Sequence, residues 1–166
     1  KKIKIGEAQI CHSGGDITII SMSYLTLEAI KAAKFLKEYY KINCEVVDLR
    51  TIKPLDLKII FRSIRKTRRV LVLDTGFETN SVSSEIITKI VEKFYKNLKS
   101  KPVRLAMPNT PEPTSIALTK NFYIDHKKII NRVIKILKIK PKKIKIRNFE
   151  DKIMHDIPSK TFKGPF

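Results

Sequence analysis

The 166-residue sequence contains only two cysteines and has no long apolar run. Cys11 and Cys44 are too few for a disulfide framework, and the three histidines are scattered along the chain without metal-binding spacing. No apolar run approaches the roughly 20 residues that span a bilayer, and the amino terminus has no signal-like apolar region. These absences argue against a disulfide-stapled, zinc-stabilised or membrane-spanning protein. We expect one domain with a sizeable core, located in a reducing cytoplasm.

Acidic residues are also scarce, with 16 Asp and Glu against 35 Lys and Arg, which gives a formal charge of +19. The densest basic stretch runs from Lys135 to Arg147. Such an excess can indicate nucleic acid or an acidic partner. Aromatic residues do not interleave with the basic ones, as single-strand binders require. We therefore predict a lysine-rich solvated surface and no nucleic-acid partner, with the carboxyl-terminal segment as the best candidate for an electrostatic contact.

Glycine-rich phosphate loops and nucleophile elbows are missing as well. The strand-like segment ITIISM is followed by Ser23, Tyr24 and Leu25, and the glycine pair Gly14–Gly15 precedes that strand instead of following it. There is no GxxxxGK[ST] loop and no GxSxG elbow. The sequence therefore predicts no catalytic, cofactor-binding or metal-ligating residue in this chain.

Apolar segments of strand length alternate with segments of helical periodicity. The strands are predicted at Ile17–Met22, Cys44–Leu49, Val70–Asp74 and Pro102–Met107. Helices are predicted to follow, capped by Ser23, Asp56, Asn80 or Ser81, and Asp125. This alternation implies parallel crossover units in a three-layer α/β/α sandwich over residues 1–138, with Pro102–Met107 near an edge. Residues 139–166 are predicted to form a basic and then apolar arm, lying on another surface or mobile.

Polar residues follow the carboxyl ends of the predicted strands. In VVDLRTIKPLD a buried strand changes to a charged turn at Asp48. Pro54 cannot donate a backbone hydrogen bond to a neighbouring strand, so the strand ends before it, and Asp56 is placed to begin a helix. The carboxyl ends of parallel strands lie at the same edge of a sheet, where ligands and partner subunits usually bind. The candidates for an interface or a fold edge are Asp48, Arg50, Thr51, Asp56, Asp74 and Glu78. The alternative is that they are ordinary helix caps and turn residues.

The order of these segments resembles the carboxyl-terminal domain of the transketolase family. It is most similar to the beta subunit of the decarboxylating component of 2-oxo acid dehydrogenases, such as pyruvate dehydrogenase. The resemblance covers about Gly6 to Leu137 and is carried by ITIISMSYLTLEAIKAAKFL, CEVVDLRTIKPLD, RRVLVLDTGFETNSVSSEI and PVRLAMPNTPEPTSIAL. Its most specific piece is Asp48-Leu49-Arg50-Thr51 followed by Pro54-Leu55-Asp56.

The resemblance implies a five-stranded, mostly parallel sheet with an antiparallel edge strand around Ala8 to Cys11. It implies a parent enzyme that uses thiamine diphosphate and magnesium, both bound by other domains. The start at Lys1 without methionine is then expected for a fragment of a larger subunit. The role implied is assembly with the rest of that subunit and with a second copy or an alpha-type subunit, and docking to an acyltransferase core.

Two alternatives to this identification stay open. The first is the same domain of a deoxyxylulose phosphate synthase, which the stretch KPLD also suits, or of a transketolase. The second is a basic interaction module that binds an acidic partner. Asp74–Asn80 contains a single glycine where relatives commonly carry a histidine or glutamate and then a glycine-rich stretch. The substrate branch is therefore open too.

Overall fold

The computed structural model describes residues 4–119, 122–142 and 144. The strands are β1 (Gln9–His12), β2 (Ile17–Ser21), β3 (Cys44–Asp48), β4 (Val70–Phe77) and β5 (Val103–Met107). The helices are α1 (Leu25–Phe35), which a π-helical turn extends over Leu36–Tyr40, α2 (Leu57–Thr67), α3 (Val82–Phe94), which a 3-10 turn extends over Tyr95–Asn97, α4 (Ile116–Thr119) and α5 (His126–Ile136).

The five strands form one sheet in the order β1-β3-β2-β4-β5. β1 runs antiparallel to β3, and every other neighbouring pair is parallel. The predicted mostly parallel sheet is confirmed, and so is the antiparallel edge strand around Ala8 to Cys11. β5 lies at the opposite edge, as the proline before it suggested.

Two hydrophobic cores lie on the two faces of the sheet, because successive side chains of a strand point to opposite faces. In β2, Ile17 and Ile19 pack with α1 and α5, whereas Ile20 packs with α2 and α3. All three isoleucines have no exposed surface. A strand covered on both faces reads as a continuous apolar run, which explains ITII. The three-layer α/β/α sandwich is thus confirmed.

The predicted helix caps at Asp56 and Asp125 are confirmed, and the one at Ser23 is wrong. Asp56 accepts a hydrogen bond from the backbone N–H of Ile59 (3.2 Å), and Asp125 accepts one from that of Lys128 (2.8 Å). Ser23 does not cap α1 with its side chain. It has a left-handed backbone (φ 55°), and its carbonyl accepts the N–H of Thr26 (3.1 Å). The first backbone N–H groups of α1 therefore donate to backbone carbonyls and not to a capping side chain.

The turn between β1 and β2 packs tightly against the loop that enters β3. The N–H groups of Gly15 and Asp16 both donate to the carbonyl of Asn43 (3.0 Å each), and the N–H of Asn43 donates to Asp16 Oδ2 (2.7 Å). A Cβ on Gly14 would lie 2.3 Å from the Asn43 carbonyl oxygen. This contact requires glycine and holds β1 beside β3.

The predicted arm at 139–166 lies mostly outside the described residues, so the division at 138 stays a prediction. Within the described part, the N–H of Lys142 donates to the Tyr40 hydroxyl (3.0 Å), and Ile144 packs against the core shared by α1 and α5. None of the helices described is both long and apolar enough to cross a bilayer.

Candidate functional site at the carboxyl edge of the sheet

We call the side of the sheet where β2, β3, β4 and β5 end the carboxyl edge. β1 is antiparallel, so its first residues also lie there, with Gln9 beside Asp48. The six candidate residues lie in the carboxyl-terminal parts of β3 and β4 or in the two turns that follow them, β3 to α2 and β4 to α3. β2 separates β3 from β4 in the sheet, so the two turns form separate groups.

Asp48 ends β3 and is held by hydroxyl groups from the neighbouring strand and helix. Thr26 Oγ1 donates to Asp48 Oδ1 (3.2 Å), and the Ser21 hydroxyl lies 3.0 Å from Thr26 Oγ1 and bonds the Val47 carbonyl (3.2 Å). The guanidinium Nε of Arg50 lies 3.7 Å from Asp48 Oδ2. Asp48 therefore links the ends of β2 and β3 to the first turn of α1.

Asp56 joins the beginning of β1 to the beginning of α2. Besides capping α2, it accepts a hydrogen bond from the N–H of Ala8 through Oδ2 (3.1 Å). Thr51 Oγ1 donates to the Pro54 carbonyl (2.9 Å) and closes the turn between them. The sequence pattern predicted the cap, but the link to Ala8 spans 48 residues and has no local signal.

Asp74 is buried, with 3% of its surface exposed, and stabilises the first turn of α3. Its Oδ2 accepts the N–H of Ser83 (2.7 Å), and its Oδ1 accepts the N–H of Gly76 (2.9 Å). Ser81 occupies the residue before α3 but makes no capping bond with its side chain. The predicted cap by Asn80 or Ser81 is therefore wrong, because the Asp74 carboxylate in β4 accepts the N–H of Ser83 instead.

Glu78 lies in the exposed part of the β4–α3 turn. Its Oε1 is 3.5 Å from Arg104 Nε, its side chain is 57% exposed, and its N–H donates to the Met107 carbonyl (2.9 Å). An ion pair this exposed contributes about 0 to 1 kcal/mol. Glu78 is thus available for contact with a partner, unlike the buried Asp74.

Large apolar side chains are exposed at or after the carboxyl end of every parallel strand of the sheet. The exposed fractions are 40% for Leu27, 50% for Ile52, 50% for Phe77 and 66% for Leu118, which follow β2, β3, the core of β4 and β5, respectively. Ile5, just before β1, is 82% exposed. Among the described residues only Tyr95 and Ile139 are other large apolar groups with comparable exposure. Sequence reasoning missed this surface, because single apolar residues in turns and first helical turns resemble core residues.

Two titratable groups at this edge have shifted pKa values. Burial, and then the Asp48 carboxylate, raise the pKa of the Cys11 thiol in β1 above its ordinary value. Burial also raises the pKa of Tyr24, at the start of α1, and the nearby Tyr123 and Glu28 add to this effect. Both groups are therefore held in their neutral forms.

The described residues do not offer a metal site. Nowhere in 4–119 and 122–142 do three or more His, Cys, Asp and Glu side chains come close enough to hold a metal ion. Asp56 and Asp74 already accept two backbone hydrogen bonds each. The carboxyl edge therefore presents exposed apolar side chains together with carboxylates that stabilise turns.

The sequence profile described as "Transketolase, C-terminal domain" matches residues 6–129. The chain is 32% identical over 137 residues to the mitochondrial pyruvate dehydrogenase E1 component subunit beta of Chaetomium thermophilum, covering 82% of this chain and 36% of that protein. It is 36% identical over 118 residues to the subunit beta-1 of Arabidopsis thaliana, covering 71% and 32%. The chain thus spans well under half of the curated relatives that it matches.

Among solved structures, a split-gene transketolase in the form of an inactive beta4 tetramer has a TM-score of 0.72 and 23% sequence identity, covering 85% of this chain and 45% of that one. A 2-oxoglutarate:ferredoxin oxidoreductase from Magnetococcus marinus has a TM-score of 0.51 and 12% identity, covering 79% and 19%. At these identities the likeness concerns the fold alone.

Proposed function

The chain belongs to the transketolase C-terminal domain family, and from that premise we propose that it is the assembly domain of a pyruvate dehydrogenase-type beta subunit. In this role it is inert alone and holds a thiamine diphosphate-dependent 2-oxo acid dehydrogenase together. The pyruvate dehydrogenase beta subunits at 32% and 36% identity support the branch. Because the chain spans only 36% and 32% of these relatives, the activity and partners of the parent protein belong to the proposal.

The exposed apolar side chains of the carboxyl edge carry this proposal. Leu27, Ile52 and Phe77 are each 40% to 50% exposed beside turns whose carboxylates are engaged in structural hydrogen bonds. Contiguous exposed apolar groups with a polar rim are typical of protein interfaces. The charges along this edge have mixed signs, with Glu7 before β1, Arg50 and Lys53 in the β3–α2 turn, and Glu78 in the β4–α3 turn. An edge with both signs can meet a copy of itself, whereas a uniformly basic surface repels its copy.

We therefore assign a second copy of the subunit as the occupant of this edge. The split-gene transketolase, a chain with the same fold, forms a beta4 tetramer, which supports self-association. The rest of the same subunit, an alpha-type subunit and an acyltransferase core would make further contacts in the parent enzyme.

Thiamine diphosphate and magnesium belong to the parent enzyme in this proposal, and this domain does not hold them. The donor set does not fit them, because Asp56 and Asp74 each already accept two backbone hydrogen bonds that hold the fold. The domain would contribute by keeping subunits in register while other domains bind the cofactor.

Sedimentation velocity on the full 166-residue chain tests the assignment. We expect concentration-dependent self-association at about 10 to 100 µM, the range of a weak interface. A triple variant, Leu27→Ser, Ile52→Ser and Phe77→Ser, should remain monomeric. The matched control replaces Tyr95 and Ile139, the exposed apolar residues elsewhere, with serine and should associate like the parent chain. A parent chain that is monomeric throughout, or two variants that behave alike, would contradict the proposal.

A further inference from the structure

We call the side of the sheet opposite the carboxyl edge the amino edge. Many of the basic residues of the described chain lie there. Parallel strands begin there and the long helices end there, because each helix returns the chain to the start of the next strand. The cations near the ends of α1, α2, α3 and α5 include Lys34, Lys37, Arg65, Lys66, Lys93 and Lys135. Acidic residues in the same region are few: Asp16, Glu38, Glu45 and Glu92.

Between the ends of α2 and α3 the amino edge has a cleft of about 490 Å³, the α2–α3 cleft. Its lining includes the apolar residues Ile64, Phe94 and Leu98, of which Ile64 and Phe94 are buried. The exposed cations Arg65, Lys66 and Arg68 surround this apolar floor, and Asn97 adds an amide. The cleft thus combines an apolar pocket with a cationic rim.

Two of the three rim cations have no anionic partner within the described residues. Lys66 pairs with Glu45, which is 1% exposed. The positive charge of Lys66 is therefore neutralised by a buried carboxylate. Arg65 and Arg68 form no ion pair in the part of the chain that the structure describes; Arg65 lies over the Phe94 ring, 6.0 Å from its centroid. Two guanidinium groups facing solvent beside one cleft leave a strong positive potential there.

The preference of helix ends for cations explains only part of this arrangement. Arg65 and Lys66 lie in the last turn of α2, where they interact favourably with the helix dipole. Arg68 follows the helix in a left-handed conformation (φ 55°), and its carbonyl accepts the N–H of Lys99 (2.8 Å). This bond fixes the end of α2 against the segment after α3, so the cleft is held from both sides.

We propose that the α2–α3 cleft binds an acidic protein segment, with an apolar side chain on the floor and flanking carboxylates on Arg65 and Arg68. Guanidinium groups recognise carboxylates through paired hydrogen bonds, and the floor supplies the apolar contact that a bare anion would not use. A single-stranded nucleic acid would need an open aromatic face. Phe94 does not provide one, because it is 7% exposed and its ring packs edge-on against Phe61.

A second basic cleft at the same edge lacks the apolar floor. It has about 560 Å³ and is lined by Lys34, Lys37 and Lys41 together with His12, Glu38 and Asn43. No Ala, Val, Leu, Ile, Met, Phe or Tyr side chain contributes to this lining, and Glu38 offsets one of its cations. Its lysines therefore provide a charge-matched control, located away from the α2–α3 cleft.

Fluorescence anisotropy on the full chain tests the proposal. The probes are two labelled heptapeptides, one with six acidic residues around a central leucine and one with serine in place of leucine. The proteins are the parent chain, Arg65→Glu/Arg68→Glu, and the control Lys34→Glu/Lys37→Glu, which changes the net charge by the same amount. Circular dichroism verifies that each variant is folded, and the charge-conserving Arg65→Lys/Arg68→Lys pair is added as a milder change.

We expect the leucine peptide to bind the parent chain about tenfold or more tightly than the serine peptide. Arg65→Glu/Arg68→Glu should weaken binding by about tenfold or more, and the control pair by less than about threefold. Equal weakening by both reversals, no preference for leucine, or no binding by the folded parent chain would each overturn the proposal. Tighter binding of a single-stranded oligonucleotide of equal charge would replace the acidic segment with nucleic acid. The charge reversals lie at the edge of the sheet opposite the proposed self-association surface, so failure of this proposal is distinguishable from failure of the proposed assembly role.

Discussion

His126 donates two hydrogen bonds to a single oxygen of Glu28. Its backbone N–H and its ring Nδ1 each lie 2.9 Å from Glu28 Oε2, across a sequence separation of 98 residues. A carboxylate can only accept, so Nδ1 carries a proton in this contact. Lys31 Nζ bonds the other oxygen, Oε1, at 2.8 Å. The carboxylate of Glu28 thus joins the beginning of α1 to the beginning of α5 on one face of the sheet.

This contact predicts a loss of stability in acid. Burial raises the pKa of Glu28, but the hydrogen bonds from His126 and Lys31 outweigh burial and lower the pKa from 4.5 to about 2. In the unfolded chain Glu28 regains its ordinary pKa near 4.5. Its stabilising contribution is therefore complete above about pH 4.5 and is lost as the pH falls towards 2. Glu28→Gln should lower the free energy of unfolding by about 1 to 3 kcal/mol at pH 7.

Urea unfolding at several pH values measures this effect. The difference between the parent chain and Glu28→Gln should shrink as the pH falls from about 5 to about 2.5. Glu92→Gln is the control, because its carboxylate pairs with Lys89 at a side-chain exposure of 60% and should contribute less than about 0.5 kcal/mol. A Glu28→Gln deficit that is the same at pH 7 and pH 2.5 would show that the ion pair does not carry the contribution.

A second prediction separates two possible caps of α3. Asp74→Ala removes the acceptor of the Ser83 and Gly76 N–H groups and leaves the buried Ser83 donor unsatisfied. We expect a loss of about 2 to 4 kcal/mol, since charge-assisted bonds of buried groups are expensive to remove. Ser81→Ala should cost less than about 0.5 kcal/mol, because the Ser81 hydroxyl bonds Ser83 Oγ and not a backbone donor. Thermal unfolding of both variants decides which residue is the cap.

The prediction of the α3 cap from the sequence failed for a physical reason. Ser81 stands where local rules put a cap, and the same rules succeed at Asp56 and Asp125. At α3 the chain folds back so that the Asp74 carboxylate of β4 meets the first turn of the helix, nine residues later in the sequence. The local preference of residues for helix caps does not indicate that the chain folds back in this way. Glu28 and His126 pose the same problem at a separation of 98 residues.

The sheet itself could be predicted in part. Ile17–Ser21 and Cys44–Asp48 are covered on both faces, so their apolar runs identify them as interior strands. Gln9–His12 has only exposed and half-buried residues and a register shift opposite β3, so its pattern is not regular. Its place in the sheet came from the family resemblance. The apolar carboxyl edge had no signal either, because exposure is a property of the folded chain.

A third prediction concerns adjacent glycines in the turn between β1 and β2. A Cβ on Gly14 would lie 2.3 Å from the Asn43 carbonyl oxygen and the Cys44 carbonyl carbon, whereas one on Gly15 would meet nothing within 4 Å. Gly14→Ala must therefore move the backbone and should cost about 2 kcal/mol or more. Gly15→Ala should be neutral or stabilising by up to about 1 kcal/mol. Denaturant titration of both variants measures the contrast, and equal midpoints would rule out the close approach of the two loops.

The last prediction separates the two charged residues of the β3–α2 turn. Asp56 accepts hydrogen bonds from the N–H groups of Ile59 and Ala8, so Asp56→Ala should lower the free energy of unfolding by about 1 to 3 kcal/mol. Arg50 is 3.7 Å from Asp48 with about a quarter of its side chain exposed, so Arg50→Ala should cost less than about 1 kcal/mol. Under the proposed assembly role, Arg50→Ala should instead weaken self-association.

Differential scanning calorimetry and sedimentation velocity on the same samples separate these two effects. The Asp56→Ala chain should unfold at a lower temperature, and hydrogen exchange should show earlier opening of residues 8 to 12, because the tether to Ala8 is gone. The Arg50→Ala chain should keep the melting temperature of the monomeric domain and change only its association. If Arg50→Ala destabilises the monomer as much as Asp56→Ala does, then Arg50 holds the turn itself and is not a contact residue of the edge.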